Sequence, residues 1–398
     1  MTTIEPAPAD TVAPDTTDEP ALLAWLARMR AEHPVWRDRY GMYHLFRHAD
    51  VLAVLRDPAR FSSDRSRLAP ATAAVSRGML TQIDPPEHRR LRSIVSTAFT
   101  PRRVADLEPR IREITRGLLD SLPDAGSFDL VDALAFPLPV TVIAEMLGLP
   151  EADHPLFRTW ADRLFSMQVD DPTDPTLGSR VAEAMADIRA YLTARVQERR
   201  TTPTDDLVSA LVAAGLDDEE AANFSLLLLL AGHITTTVLL GNAVRTFAEH
   251  PGVWEGLRAD PTTIPAALEE VLRLRSPFVM TARVTTEPVG IAGVTIPADR
   301  FVMPWLLSAN HDEEAFAEPE AFVLDRGIGG GAQTAFGHGV HFCLGAPLAR
   351  VEGRVALEEL TARYHALSPA TVSTEALQPY PRGVLGVRQL PVKGVRSY

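Results

Sequence analysis

Residues 336–345 read Phe336-Gly337-His338-Gly339-Val340-His341-Phe342-Cys343-Leu344-Gly345, and run on into Ala346-Pro347-Leu348-Ala349-Arg350. Glycines at 337, 339 and 345 permit a tight loop that other backbone can approach closely. Pro347 suits the first turn of a helix that starts just after the cysteine. Loop N–H groups and a helix N-terminus both favour a thiolate at Cys343. A lone cysteine is otherwise a small buried hydrophobe. It is the only cysteine in 398 residues, so no intramolecular disulfide can form, and an intracellular, cytoplasmic location is the simplest expectation.

Outward from that loop the chain reads as many helices and a few short strands. A helix is predicted over residues 21–32, with Asp18 and Pro20 as start signals, and strands over 42–46, 289–296 and 301–307. Proline-rich breaks at 84–86, 137–139 and 171–175 separate helical segments. The expected fold is mainly α with minor β (α+β), in one domain over 21–398 after a disordered tail at 1–20 rich in Pro, Ala, Thr and Asp. The apolar run at 226–240 is short of the roughly 20 residues a membrane span needs, which favours a buried core helix.

Lys and Arg number 39 against 52 Asp and Glu, for a formal charge of −13. That balance argues against nonspecific nucleic-acid binding or an anionic membrane surface as partner. Lys393 is the only lysine, so any local basic patch is built from arginine.

The pattern Phe-Gly-x-Gly-x-His-x-Cys-x-Gly resembles the haem-binding loop of the cytochrome P-450 family almost position by position. The resemblance implies the cytochrome P-450 fold around one buried haem b, with Cys343 as the axial iron ligand, Phe336 shielding its sulfur, and His341 near a haem propionate. Cysteine thiolate ligation in this family favours O–O cleavage. Glu270 and Arg273, at i, i+3 on one helical face, resemble the family's Glu-x-x-Arg pair bracing the cysteine side. The residue that relatives use to complete that network, just before a downstream phenylalanine, is here Ala321. His88 and Arg92, in a stretch like the start of the family's C helix, and Arg283 are the implied propionate partners.

Ala231-Gly232-His233-Ile234-Thr235-Thr236 resembles the family's oxygen-binding segment. Thr235 is placed to bond the carbonyl of Ala231, and Gly232 to ease a local opening of the helix for dioxygen and water. Thr235 and Thr236 are the implied catalytic hydroxyls. Ile234 replaces the usual acid, which leaves protons to ordered water, His233 or a substrate hydroxyl, or else loosens coupling. Ile234→Glu is then expected to alter the ratio of peroxide to product.

The resemblance implies hydroxylation or epoxidation of a bulky, largely apolar natural product, a polyketide, macrolide or terpenoid. Met79, Phe165, Met167, Leu230, Val279, Met280 and Val384 are the implied pocket residues. Arg65, Arg67 and Arg77 offer an alternative meeting point for an anionic or carrier-bound substrate. Arginines 89, 90, 92, 102, 103, 350 and 354 suggest docking of an acidic ferredoxin. Ferredoxin reductase and, indirectly, NAD(P)H stand behind it, since no flavin or nicotinamide fingerprint is present. A monomer is expected. Competing readings are a haem-thiolate sensor without efficient turnover, and a hydrolase using Cys343 with His341 or His338.

Overall fold

The apolar run at 226–240 becomes the middle of a 32-residue helix, Asp218–Glu249. A capping box starts it: the Asp217 carboxylate accepts from the Glu220 N–H at 2.9 Å, and the Glu220 carboxylate accepts from the Asp217 N–H at 3.3 Å. In this computed structural model, which describes residues 13–68, 77–122, 126–165, 176–326, 333–370, 380 and 383–396, that helix is the axle of the fold. Helices Pro137–Leu147, Ala186–Thr201, Ile264–Leu274 and Ala346–Arg363 all pack on it. Its most apolar stretch is 72% buried, so its hydrophobicity is spent on the protein core.

Among the described residues, three small sheets lie around the helices. Strands β1 (Val35–Arg37), β2 (Tyr43–Leu45), β3 (Phe61–Ser62), β5 (Arg283–Thr285) and β8 (Phe301–Pro304) form one sheet in the order β1-β2-β8-β5-β3, parallel only between β2 and β8. Strands β4 (Gly126–Asp129), β9 (Tyr364–Pro369) and β10 (Pro391–Arg396) form the second, with β10 central. The stretch 289–296 is a hairpin of β6 (Val289–Ile291) and β7 (Val294–Ile296), turned by Ala292 and Gly293 at φ 46° and 80°.

Two expectations change. The strand expected over 301–307 ends at Pro304, which lacks a ladder donor, and a short helix Leu306–Asn310 follows. The first helix begins at Glu19, two residues early, with Asp18 accepting from the Ala21 N–H at 3.1 Å. Residues 13–20 are therefore built into the fold, whereas 1–12 lie outside the described residues. Thr16 is buried, and its hydroxyl donates to the Tyr380 carbonyl at 3.5 Å. Glu19 is also buried, and accepts from Arg245 Nη2 at 3.0 Å and Arg275 Nε at 2.6 Å.

Candidate functional site

Two of the three glycines shape the loop around Cys343, whereas Gly345 has an ordinary backbone and open space beside it. Gly337 and Gly339 take φ 68° and 70°, and a Cβ on Gly339 would run into the Leu55 carbonyl of the helix His48–Arg56. The Cys343 N–H donates to the Phe336 carbonyl at 2.9 Å, which closes the loop under the cysteine. Arg92 clasps it from outside, donating to the Val340 and Phe342 carbonyls at 3.0 and 2.7 Å. Arg350 lies over the Phe336 ring, 4.5 Å from its centre. Burial pushes the Cys343 thiol up, against N–H groups of Gly345 and Ala346 that favour the thiolate. The helix Ala346–Arg363 thus presents its N-terminal N–H groups to sulfur, but a lasting thiolate here calls for a bound cation.

Cys343 lines a cavity of about 270 Å³ together with His88, Arg92, Phe336, His341 and Gly345. The long helix supplies its Ala231, Gly232, Thr235 and Thr236 to the same cavity. The Thr235 hydroxyl donates to the Ala231 carbonyl at 2.9 Å, as expected. The expected opening is not present: the backbone is helical throughout, and the space beside Gly232 is filled by Ile143.

Ile234 points elsewhere. It is 3% exposed in a separate apolar cluster with Val238, Tyr380 and Val384. His233 is also turned away, its Nδ1–H donating to the Leu229 carbonyl at 2.5 Å and its ring edge-on to Phe136. Burial lowers its pKa to about 4, so it is a neutral core histidine and no wall of this cavity.

Sequence reasoning missed the acid that does line it. Glu352, on the helix after the cysteine, is 1% exposed, with its carboxyl against the Thr236 hydroxyl and Oε2 without a partner. Burial raises its pKa to about 8, so it is protonated at neutral pH. Its neighbours Arg350 and Arg354 make that stretch look like a solvated charged face.

The Glu270–Arg273 pair is fully formed. Arg273 donates through Nε and Nη2 to the two Glu270 oxygens, each at 2.8 Å, with both residues nearly inaccessible. Arg273 Nη1 also reaches the carbonyls of Asn310 and Pro319. With Ala321 at the usual closing position, Arg326 closes the network instead, its Nε donating to Glu270 Oε1 at 2.8 Å.

A haem is a flat apolar ring with two carboxylates, and the residues present fit one. Both nitrogens of His88 are buried without a partner, although the residue is 1% exposed. Burial and the neighbouring His341 lower its pKa to about 4, which leaves it neutral with an N–H to donate. The two rings are 4.3 Å apart. His341 Nε2 meets the Ser63 hydroxyl at 2.9 Å. Arg283 is 6% exposed and, among the described residues, bonds only the Ala282 carbonyl at 2.8 Å and, weakly, the Thr281 hydroxyl. Buried donors of this kind need an anion.

The implied pocket residues fare less well. Met79 sits in the main core, 4% exposed, with Leu230 packed against it. Val279 and Met280 belong to a cluster with Trp25 and Trp305, and Val384 packs with Ile234. None lines the cavity, whose apolar walls are instead Ile143, Phe224, Leu227, Leu228, Leu239 and Phe278. The Phe165 side chain and Met167 lie outside the described residues. The hydrolase reading finds no dyad, because His341 is engaged by Ser63 and His338 by the Gly339 N–H and Arg56.

Residues 33–386 match the family described as Cytochrome P450. The chain is 57% identical to erythromycin C-12 hydroxylase of Saccharopolyspora erythraea, over 98% of each chain. It is 41% identical to cyclomarin C epoxidase CymV of Salinispora arenicola, over 94% of this chain and 95% of that one. Among solved structures, a mutant of P450 EryK in complex with erythromycin B superposes with a TM-score of 0.93 at 56% identity, covering 96% of this chain and 98% of the other. With the cysteine loop, the Glu270–Arg273 brace and the fold in agreement, the chain belongs to the cytochrome P450 family and is a haem-iron, dioxygen-using monooxygenase.

Proposed function

We propose that this monooxygenase is a macrolide-tailoring hydroxylase, inserting one oxygen atom into a C–H bond of a large, mostly apolar macrolactone. The similarity to erythromycin C-12 hydroxylase, spanning nearly all of both chains, carries the substrate class. The apolar cavity walls support it. Cys343 would hold haem b, which when bound would supply the activation of dioxygen. Electrons come from an acidic ferredoxin and its reductase, and ultimately from NAD(P)H, and the enzyme works as a cytoplasmic monomer.

The chain's own residues hold the protons. Thr235 and Thr236 put hydroxyls on the cavity wall, and Glu352 stands behind Thr236 as the acid that position 234 lacks. A proton on Glu352 passes to the Thr236 hydroxyl as that hydroxyl releases its own into the cavity, and Glu352 is recharged afterwards.

Three of the seven arginines near the cysteine are neutralised within the chain: Arg90 by Glu87, Arg350 by Glu269, Arg354 by Glu108 and Glu358. Arg89, Arg102 and Arg103 remain exposed; Arg102 and Arg103 lie together beside Thr97, Thr100 and Asp106, and these two are the proposed ferredoxin contacts.

The test is to titrate the purified haem protein with erythromycin B and its macrolactone precursors, following the iron spin-state band, and then to add ferredoxin, reductase and NADPH. A spectral shift and a product heavier by one oxygen are expected. A shift with steroids or terpenoids and none with any macrolactone would overturn the substrate class.

A further inference from the structure

We propose that Arg65 is an additional cationic anchor for the haem carboxylates, joining His88, Arg92, Arg283 and His341. It opens the short 3-10 turn Arg65–Arg67 directly after β3. Two residues earlier, Ser63 is bonded to His341, so this segment enters the haem site from the sheet side.

Arg65 Nε is enclosed and has no hydrogen-bond partner. Arg283, on the strand paired with β3, is near enough to be acted on by the Arg65 charge. Burial pushes the Arg65 guanidinium down, and burial together with Arg65 lowers Arg283 to about 10. Two guanidiniums brought together away from water are unfavourable unless an anion joins them. The carboxylate beside them, Asp84, already accepts from the Ser62 hydroxyl and the Ser63 N–H and stands against His341.

The charges close once the cofactor is counted. Arg65, Arg92 and Arg283 bring three positive charges to this end of the site, and Asp84 brings one negative charge. Two haem carboxylates bring the group to neutrality, and without Arg65 it would be left negative.

The other two arginines offered by the sequence to an anionic substrate are accounted for. Arg67 is exposed and pairs with Asp299 at 3.3 Å, and Arg77 pairs with Asp217 and Glu219. That makes Arg67 a matched control on the same turn.

The experiment compares holoproteins carrying Arg65→Gln, Arg65→Lys and Arg67→Gln. The readouts are the rate of haem loss to excess apomyoglobin and the ferric/ferrous midpoint potential. Arg65→Gln is expected to lose haem about tenfold faster, the loss of one charge-assisted bond, and to have a lower potential, since one positive charge near the ring is gone. Arg65→Lys should recover most of both, and Arg67→Gln should match the parent. Parental haem loss and potential in Arg65→Gln would overturn the proposal. Should Arg65→Gln fail to fold, the propionate vibrations of Arg65→Lys decide: a shift from the parent supports it, and identical bands overturn it.

Discussion

The Glu352 carboxyl stands against the Thr236 hydroxyl, joining the helix that follows the cysteine to the long central helix at the wall of the haem cavity. General-acid groups contribute on the order of 10²–10⁴ in rate. Glu352→Gln keeps the shape and removes the transferable proton. Turnover should fall by at least about tenfold, with more electrons lost to peroxide, while the spin-state response to substrate is kept. Measuring NADPH, peroxide and product together checks this.

The same carboxyl carries a pH signature. In the unfolded chain a glutamate ionises near pH 4.5, whereas folded Glu352 keeps its proton to about pH 8. Between those values the folded state binds the extra proton, so stability is lost as pH rises through the window, by up to about 5 kcal/mol. Glu352→Gln removes that dependence. Its Tm should gain on the parent from pH 5 to pH 8, as read by calorimetry.

Ile234→Glu does not restore the missing acid, because Ile234 packs with Val238, Tyr380 and Val384 away from the cavity. Burying a carboxyl there costs about 2–4 kcal/mol. Urea unfolding should show that loss, and the ratio of peroxide to product should not improve.

Arg326→Ala opens the brace around Glu270. It removes the bond to Glu270 Oε1 and those to the Ala317, Glu318 and Ala321 carbonyls. A loss of about 2–3 kcal/mol in urea unfolding is expected for charged bonds of this burial.

Arg102→Glu combined with Arg103→Glu should raise the KM for ferredoxin about tenfold at low salt, with kcat unchanged. The difference should shrink at high salt, where charge steering is screened.

What the sequence revealed was whatever is local. The cysteine loop is legible because glycine spacing fixes its backbone, and Glu270–Arg273 because one helical turn sets its geometry. Arg326 was hidden because it meets Glu270 across 56 residues of chain, from a short 3-10 turn with no periodicity. Glu352 was hidden because only packing against the long helix makes it a buried acid. The substrate pocket was the least legible part, since which face of an apolar segment meets the cavity is set by tertiary packing: Leu227 and Leu228 line it, whereas Leu230 does not.

The bond from Glu19 to Arg245 and Arg275 bears on where this chain can be cut. Trimming to residue 21, where the composition first turns ordinary, would strip the shared anion from one arginine on the central helix and another just past the Glu270–Arg273 helix. A leader that looks dispensable by composition is thus a fastener, and shortened versions of the enzyme should keep everything from Ala13 onward.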